Sequence, residues 1–141
     1  MKRKQRTEIL IGSPSGFMKA LAEEIVNNYE TSVIEEPNPG LVMVKVRETA
    51  KQSLFYLGEV LVTECKVQVQ GATGIGLIKG DDSEKAYFLA VIDAAYAAGL
   101  KETVRWEELL GMEQEKQAVE RTHRQRKLQL TKVNFETMDS D

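Results

Sequence analysis

The spacing of apolar and polar positions changes along this chain, and each change predicts an element. Residues 2–11 begin a short helix that stops near Gly12 and Pro14. Ser13 is placed to cap the next helix, with Pro14 in its first turn. Phe17, Leu21, Ile25 and Val26 then recur at helical spacing. Asn27-Asn28 weakens that pattern, and Pro37-Asn38-Pro39-Gly40 reads as a firm break. Four strands are expected next. Leu41 to Arg47 is β-branched, and Leu54 to Val62 follows with Gly58 at a bulge or bend. Lys66 to Gln70 alternates strictly, which leaves one face wet, as in an antiparallel sheet. Gly71-Ala72-Thr73-Gly74 reads as the turn into a fourth strand, Ile75 to Lys79.

A helix then opens at Asp81, which has capping-box spacing to Glu84. Ala86, Leu89, Ala90, Asp93, Ala94 and Ala97 fall near one stripe, and Gly99 is a C-terminal stop. The last periodic segment, Thr103 to Leu130, is different. Trp106, Leu109, Leu110 and Met112 can dock its beginning, but from Glu113 to Lys127 only Ala118 and Val119 are apolar. Its early charges are mostly acidic (Glu107, Glu108, Glu113, Glu115 and Glu120) and its late ones basic (Arg121, Arg124, Arg126, Lys127), which complements a helix dipole. About 25 residues of helix would span nearly 40 Å. A helix this polar bridges solvent or lies against something else. Thr131 to Met138 reads as an extended tail with Val133, Phe135 and Met138 available for burial elsewhere.

The expectation is therefore an α+β fold: an antiparallel four-stranded meander packed with helices, plus a long C-terminal helix and extended tail. Residues 1–102 form the core domain and 103–141 the arm. Composition adds limits. The chain has 141 residues, 42% of them hydrophobic and 29% charged, as in ordinary single globular domains. A net charge of −3 does not favour nucleic acid or an anionic membrane. No run approaches the roughly 20 apolar residues needed to cross a bilayer. The one cysteine, Cys65, allows no intrachain disulfide and suits a reducing cytoplasm.

The candidate chemistry is sparse. Gly71 to Gly76 has the wrong order for a dinucleotide fingerprint and lacks the Gly-Lys-Ser/Thr ending of a phosphate loop, so a hairpin is the simpler reading. Cys65 lies between Glu64, which disfavours thiolate, and Lys66, which points to the other face, so it reads as a packed strand residue. His123, the only histidine, sits among arginines on a polar helix. Asp81 and Asp82 could bind magnesium, but helix capping explains at least one of them more simply. Asp93 stands on an apolar stripe, where a carboxylate must be bonded. It ties the helix to the sheet backbone or to a cation, or it is a functional carboxylate. The basic run from Arg121 to Lys127 can meet a phosphate or a partner protein, and it lacks the interleaved aromatics of a nucleic-acid surface. No catalytic residue and no metal set stands out.

Several stretches, in order, resemble one family. They are Pro39-Gly40-Leu41-Val42, Leu57 to Cys65, the three glycines Gly71, Gly74 and Gly76, Gly80-Asp81-Asp82 with Ala90-Val91-Ile92-Asp93-Ala94, and Thr131 to Met138. Together they resemble the G-subunit (PhnG) family of the bacterial carbon–phosphorus lyase system. Glu136 stands where the family commonly has a second aromatic, and Asp81 where it often has arginine. The resemblance implies a subunit that joins the H, I and J subunits and works with L in organophosphonate breakdown. That complex displaces adenine from MgATP with an alkylphosphonate, giving ribose 1-alkylphosphonate 5-triphosphate. The nucleosidase centre belongs to the I subunit. The iron–sulfur cluster and S-adenosylmethionine of C–P cleavage belong to the J subunit, so this chain carries no cofactor of its own. The resemblance implies no catalytic residue here. On the residues themselves, Arg121, Arg124, Arg126, Lys127, Val133, Phe135 and Met138 are the expected partner contacts. The rival readings are a small independent enzyme using Asp93 and a nucleic-acid adaptor using the basic helix.

Overall fold

A computed structural model describes the backbone of residues 1–139 and the side chains of residues 1–132. The elements are α1 (Arg3–Gly12), α2 (Ser15–Asn28), β1 (Thr31–Arg47), β2 (Leu54–Val69), β3 (Ala72–Lys79), α3 (Ser83–Ala98) and α4 (Glu102–Asp139). They divide into two compact units. One holds α2, the sheet and α3 (Pro14–Val104). The other holds α1 with the chain from Arg105 onward. No helix among the described residues is long and apolar enough to cross a membrane.

The fold is α+β, with one antiparallel sheet in the order β1-β2-β3. It has three strands where the sequence predicts four. Thr63-Glu64-Cys65 contains no breaker and keeps the alternation of its neighbours, so the expected second and third strands are one strand, β2. The predicted break at Pro37-Asn38-Pro39-Gly40 is also overturned, because β1 runs straight through it. A proline costs a ladder bond only where a neighbouring strand needs its N–H, and β1 is an edge strand. The misfit is absorbed by register shifts between Val33 and Glu35 and between Glu35 and Asn38. A third shift puts Val44 opposite Gly58 and Lys45 opposite Tyr56, leaving Leu57 as the extra residue beside the glycine where a bulge is expected.

The β2–β3 turn is tighter than predicted. Gln70 (φ 50°) and Gly71 (φ 79°) both adopt the positive φ of a two-residue hairpin. Gly74 and Gly76 lie instead within β3, under α3. A Cβ on Gly74 would collide with the Ala90 carbonyl oxygen and the Ala94 nitrogen, and one on Gly76 with the Ala86 carbonyl oxygen. The alanines at 86, 90 and 94 complete this close approach, and all three are fully buried. Cys65, Val67 and Val69 fill the same face from β2. Each buried aliphatic of this size contributes about 1.5–3 kcal/mol. α3 is buried almost all round, since β2 and β3 cover one side and α2 packs on another.

The caps differ by one residue from expectation. Asp82 caps α3, accepting from Lys85 N at 3.1 Å. Asp81 is exposed. Thr63 fixes this corner by donating to Gly80 O (2.7 Å) and accepting from Asp82 N (3.1 Å). Gly99, at φ 66°, ends α3 as predicted. Ser13 does not cap α2, because its hydroxyl donates back to Leu10 O at 2.6 Å and Pro14 takes the cap position. In the second unit, Gln117 Nε2 donates to Ile9 O at 2.9 Å, which joins α4 to the last turn of α1. α4 continues through Thr131 to Met138, where an extended tail is expected, because no glycine or proline follows Gly111 to stop it. The side chains of Val133, Phe135 and Met138 lie outside the described residues.

Beyond Val62 the sheet loses its third strand, because β3 ends at Lys79 opposite that residue. Gly80 N makes one more bond, to Leu61 O at 2.8 Å. The rest of β1 and β2, from Leu41 to Arg47 and from Leu54 to Leu61, is a two-stranded ribbon. One face carries Leu41, Met43, Leu54, Tyr56 and Leu61. The other carries Val42, Val46 and Phe55, with Leu57 at the bulge. All nine are exposed. The ribbon closes through Glu48 N to Ser53 O (2.8 Å) and Gln52 N to Glu48 O (2.9 Å).

Candidate partner interface

Two buried carboxylates each bond to a neighbouring element. Asp93 lies on the sheet-facing stripe of α3, 9% exposed, and its Oδ2 accepts from Ile75 N at 2.9 Å. Helix spacing puts the carboxylate over β3, and the missing side chain at Gly74 brings the helix near enough to reach it. Glu102 is buried where α4 begins, and both its oxygens accept from the Tyr29 hydroxyl, at 2.9 and 3.0 Å. That bond and the negative charge beside it push the Tyr29 phenol above its ordinary value. Cys65 is fully buried opposite Gly76. Burial, with the nearby charges of Glu35 and Glu36, pushes its thiol up, away from the thiolate a nucleophile needs. Among the described residues, no group of three or more His, Cys, Asp or Glu side chains is placed to hold a metal ion.

The basic run does not form one patch. Arg121 and Arg124 are a helical turn apart and line an open cleft of about 470 Å³ between α1 and α4, together with Glu8, Gln114, Gln117 and Glu120. Two carboxylates, Glu8 and Glu120, offset the two guanidinium groups there, so the cleft has no strong preference for anions. Arg126 lies on another side of the helix, beside Val119, Thr122 and His123. Lys127 is exposed. The 100° step per residue that makes α4 regular also spreads these cations around it.

Apart from these groups, what is distinctive is surface. Every described residue from Ala118 to Lys132 is exposed, Val119, Leu128 and Leu130 by 65% or more. The ribbon adds its nine apolar side chains. Sequence reasoning found the arm but missed the ribbon, because strands that are apolar on alternate positions of both faces read as buried until a third layer is shown to be absent.

No curated protein matches the chain at a significant level. The family model described as phosphonate metabolism protein PhnG matches residues 1–139.

Proposed function

The chain belongs to the PhnG family of phosphonate metabolism proteins, and we propose that within this metabolism it is an accessory subunit of the carbon–phosphorus lyase core complex. In this reading it joins the H, I and J subunits and works with L. The complex breaks the bond between C1′ of the ATP ribose and adenine and forms a bond from C1′ to an alkylphosphonate oxygen, giving ribose 1-alkylphosphonate 5-triphosphate. This chain bears no part of that chemistry. It shapes and holds the subunits that do.

The observation that supports the reading is the arm. A polar helix gains little stability in isolation, and most helices persist because one face is packed. Here the stretch from Ala118 to Lys132 is exposed all round. Such a helix gains its packing from another protein.

The test compares adenine release from MgATP and methylphosphonate by the purified chain, by the other subunits, and by both together. The isolated chain should release none, and adding it should raise the rate of the others. Robust release by the contaminant-free chain alone would overturn the accessory role. Equal rates with and without it would overturn its place in the complex.

A further inference from the structure

We infer that the two-stranded ribbon from Gly40 to Leu61 is a second docking element, a wedge that a different protein grips on both faces. The inference rests on the reading of the chain as a complex subunit, but its evidence is separate from the arm.

The first observation is area. The nine large apolar side chains of the ribbon are between 40% and 64% exposed. Together they offer on the order of 900 Å², close to the roughly 800 Å² that one partner contributes to a standard stable interface. Each face alone is within the roughly 300–600 Å² of the largest apolar patch on an ordinary monomer, and the ribbon stands out because both of its faces are bare. A two-stranded ribbon with neither face covered is also marginally stable in water. The area is therefore that of a contact surface, and the ribbon gains its own stability from being covered.

The second observation is charge, and it selects the occupant. Near the tip, Lys45 and Arg47 stand on one face, opposite Tyr56 and Leu54, and Lys51 lies in the connection, while the carboxylate of that face, Glu59, stands farther from the tip opposite Met43. The nearby Glu48 carboxylate accepts from Ser53 Oγ at 3.3 Å. A second copy would bring the same cations to its own interface, where like charges oppose pairing. It would also cover one face of each ribbon and leave the other wet. A different protein with an apolar cleft and an acidic rim complements both faces and the cationic tip.

The experiment co-expresses the full-length chain with the partner subunits proposed above and measures what co-purifies. Two variants are compared with the native chain: Met43→Ser with Leu57→Ser, and Lys45→Glu with Arg47→Glu. Circular dichroism and light scattering are run on each chain alone. The expected result is a folded, monomeric chain in every case. The serine pair should lower partner recovery at least tenfold. The charge reversal should lower it strongly at low salt, where rim charges are least screened. The charge variant carries the test if the serine pair does not fold. Full recovery by a folded ribbon variant, while the native chain assembles, would overturn the wedge and leave the subunit reading standing. A native dimer broken by either variant would show that a second copy is the occupant. Failure of the native chain to recover any partner would overturn the subunit reading, and the wedge with it.

Discussion

Gly76 lies directly beneath Ala86, so close that a methyl group on the glycine would take the place of the alanine's carbonyl oxygen. Strand and helix meet here backbone to backbone. Gly76→Ala forces α3 off the sheet, and overpacking of this kind costs about 1–3 kcal/mol or more. Gly74→Ala should act alike. Gly58→Ala, with no atom near its position, should cost less than either. Urea unfolding of the three variants checks the order. Equal midpoints would mean that α3 yields easily.

Asp93 should behave as a tie. Asp93→Ala removes the acceptor of Ile75 N and leaves that donor unpaired, a loss of about 1–3 kcal/mol. Asp93→Asn keeps an oxygen in place and should lose less. At temperatures where both variants are folded, complexes containing them should keep native turnover. Lost turnover in a stable, assembled Asp93→Asn complex would mark the carboxylate as functional.

The Tyr29–Glu102 bond predicts a response to alkali. Its phenol is raised in the folded state, so the unfolded chain ionises first as pH rises. The stabilisation is complete below the unfolded tyrosine value and falls as pH climbs from there through the folded value. Tyr29→Phe should be less stable than native at neutral pH and should approach it in strong alkali. Thermal unfolding at neutral and alkaline pH measures both. A constant difference between the two proteins would contradict the assignment.

Cys65 should be unreactive while the chain is folded. Burial and Glu35 hold its thiol above the ordinary value, and the side chain has no exposure. Ellman's reagent near neutral pH should titrate it only after urea is added. Cys65→Ser should cost about 1–2 kcal/mol, since a hydroxyl there has no arranged partner. Rapid labelling of the folded chain would show an opening at β2.

Ending the chain after Arg121 preserves Gln117 and its bond to Ile9. The side chains from Thr122 to Lys132 are all exposed, so their loss should change stability by no more than about 0.5 kcal/mol. Recovery of the partner subunits should nevertheless fall. Full recovery by a folded, shortened chain would remove the arm from the interface.

Local signals were readable where one residue type settles the geometry. The alanine stripe and Gly99 define α3, and Gly58 marks a bulge. Errors arose where the outcome depends on a neighbour. Pro37 and Pro39 break a central strand but not an edge. Gly74 and Gly76 resemble turn residues, yet their role is to admit a helix that follows them in the chain. Thr131 and Val133 have extended preferences, but nothing after Gly111 stops α4. The bond between Gln117 and Ile9 spans most of the chain and leaves no local trace. As for the candidate interface, the polar arm was legible from its missing apolar face. The ribbon was not, because exposure depends on where β3 ends.

The outer edge of β1 is guarded unevenly. As far as Pro39 it is interrupted by two prolines and two register shifts. From Leu41 to Arg47 it runs with one late shift and no proline. Open, apolar edges recruit further strands, and prolines and bulges are the usual protection against this. Along β1 the stretch open to such pairing is therefore Leu41 to Arg47, and Leu54 to Leu61 of β2 lies open on the other side of the same ribbon. On the wedge reading, a chain made faster than the proteins that grip it leaves this ribbon bare, so its synthesis should be matched to theirs.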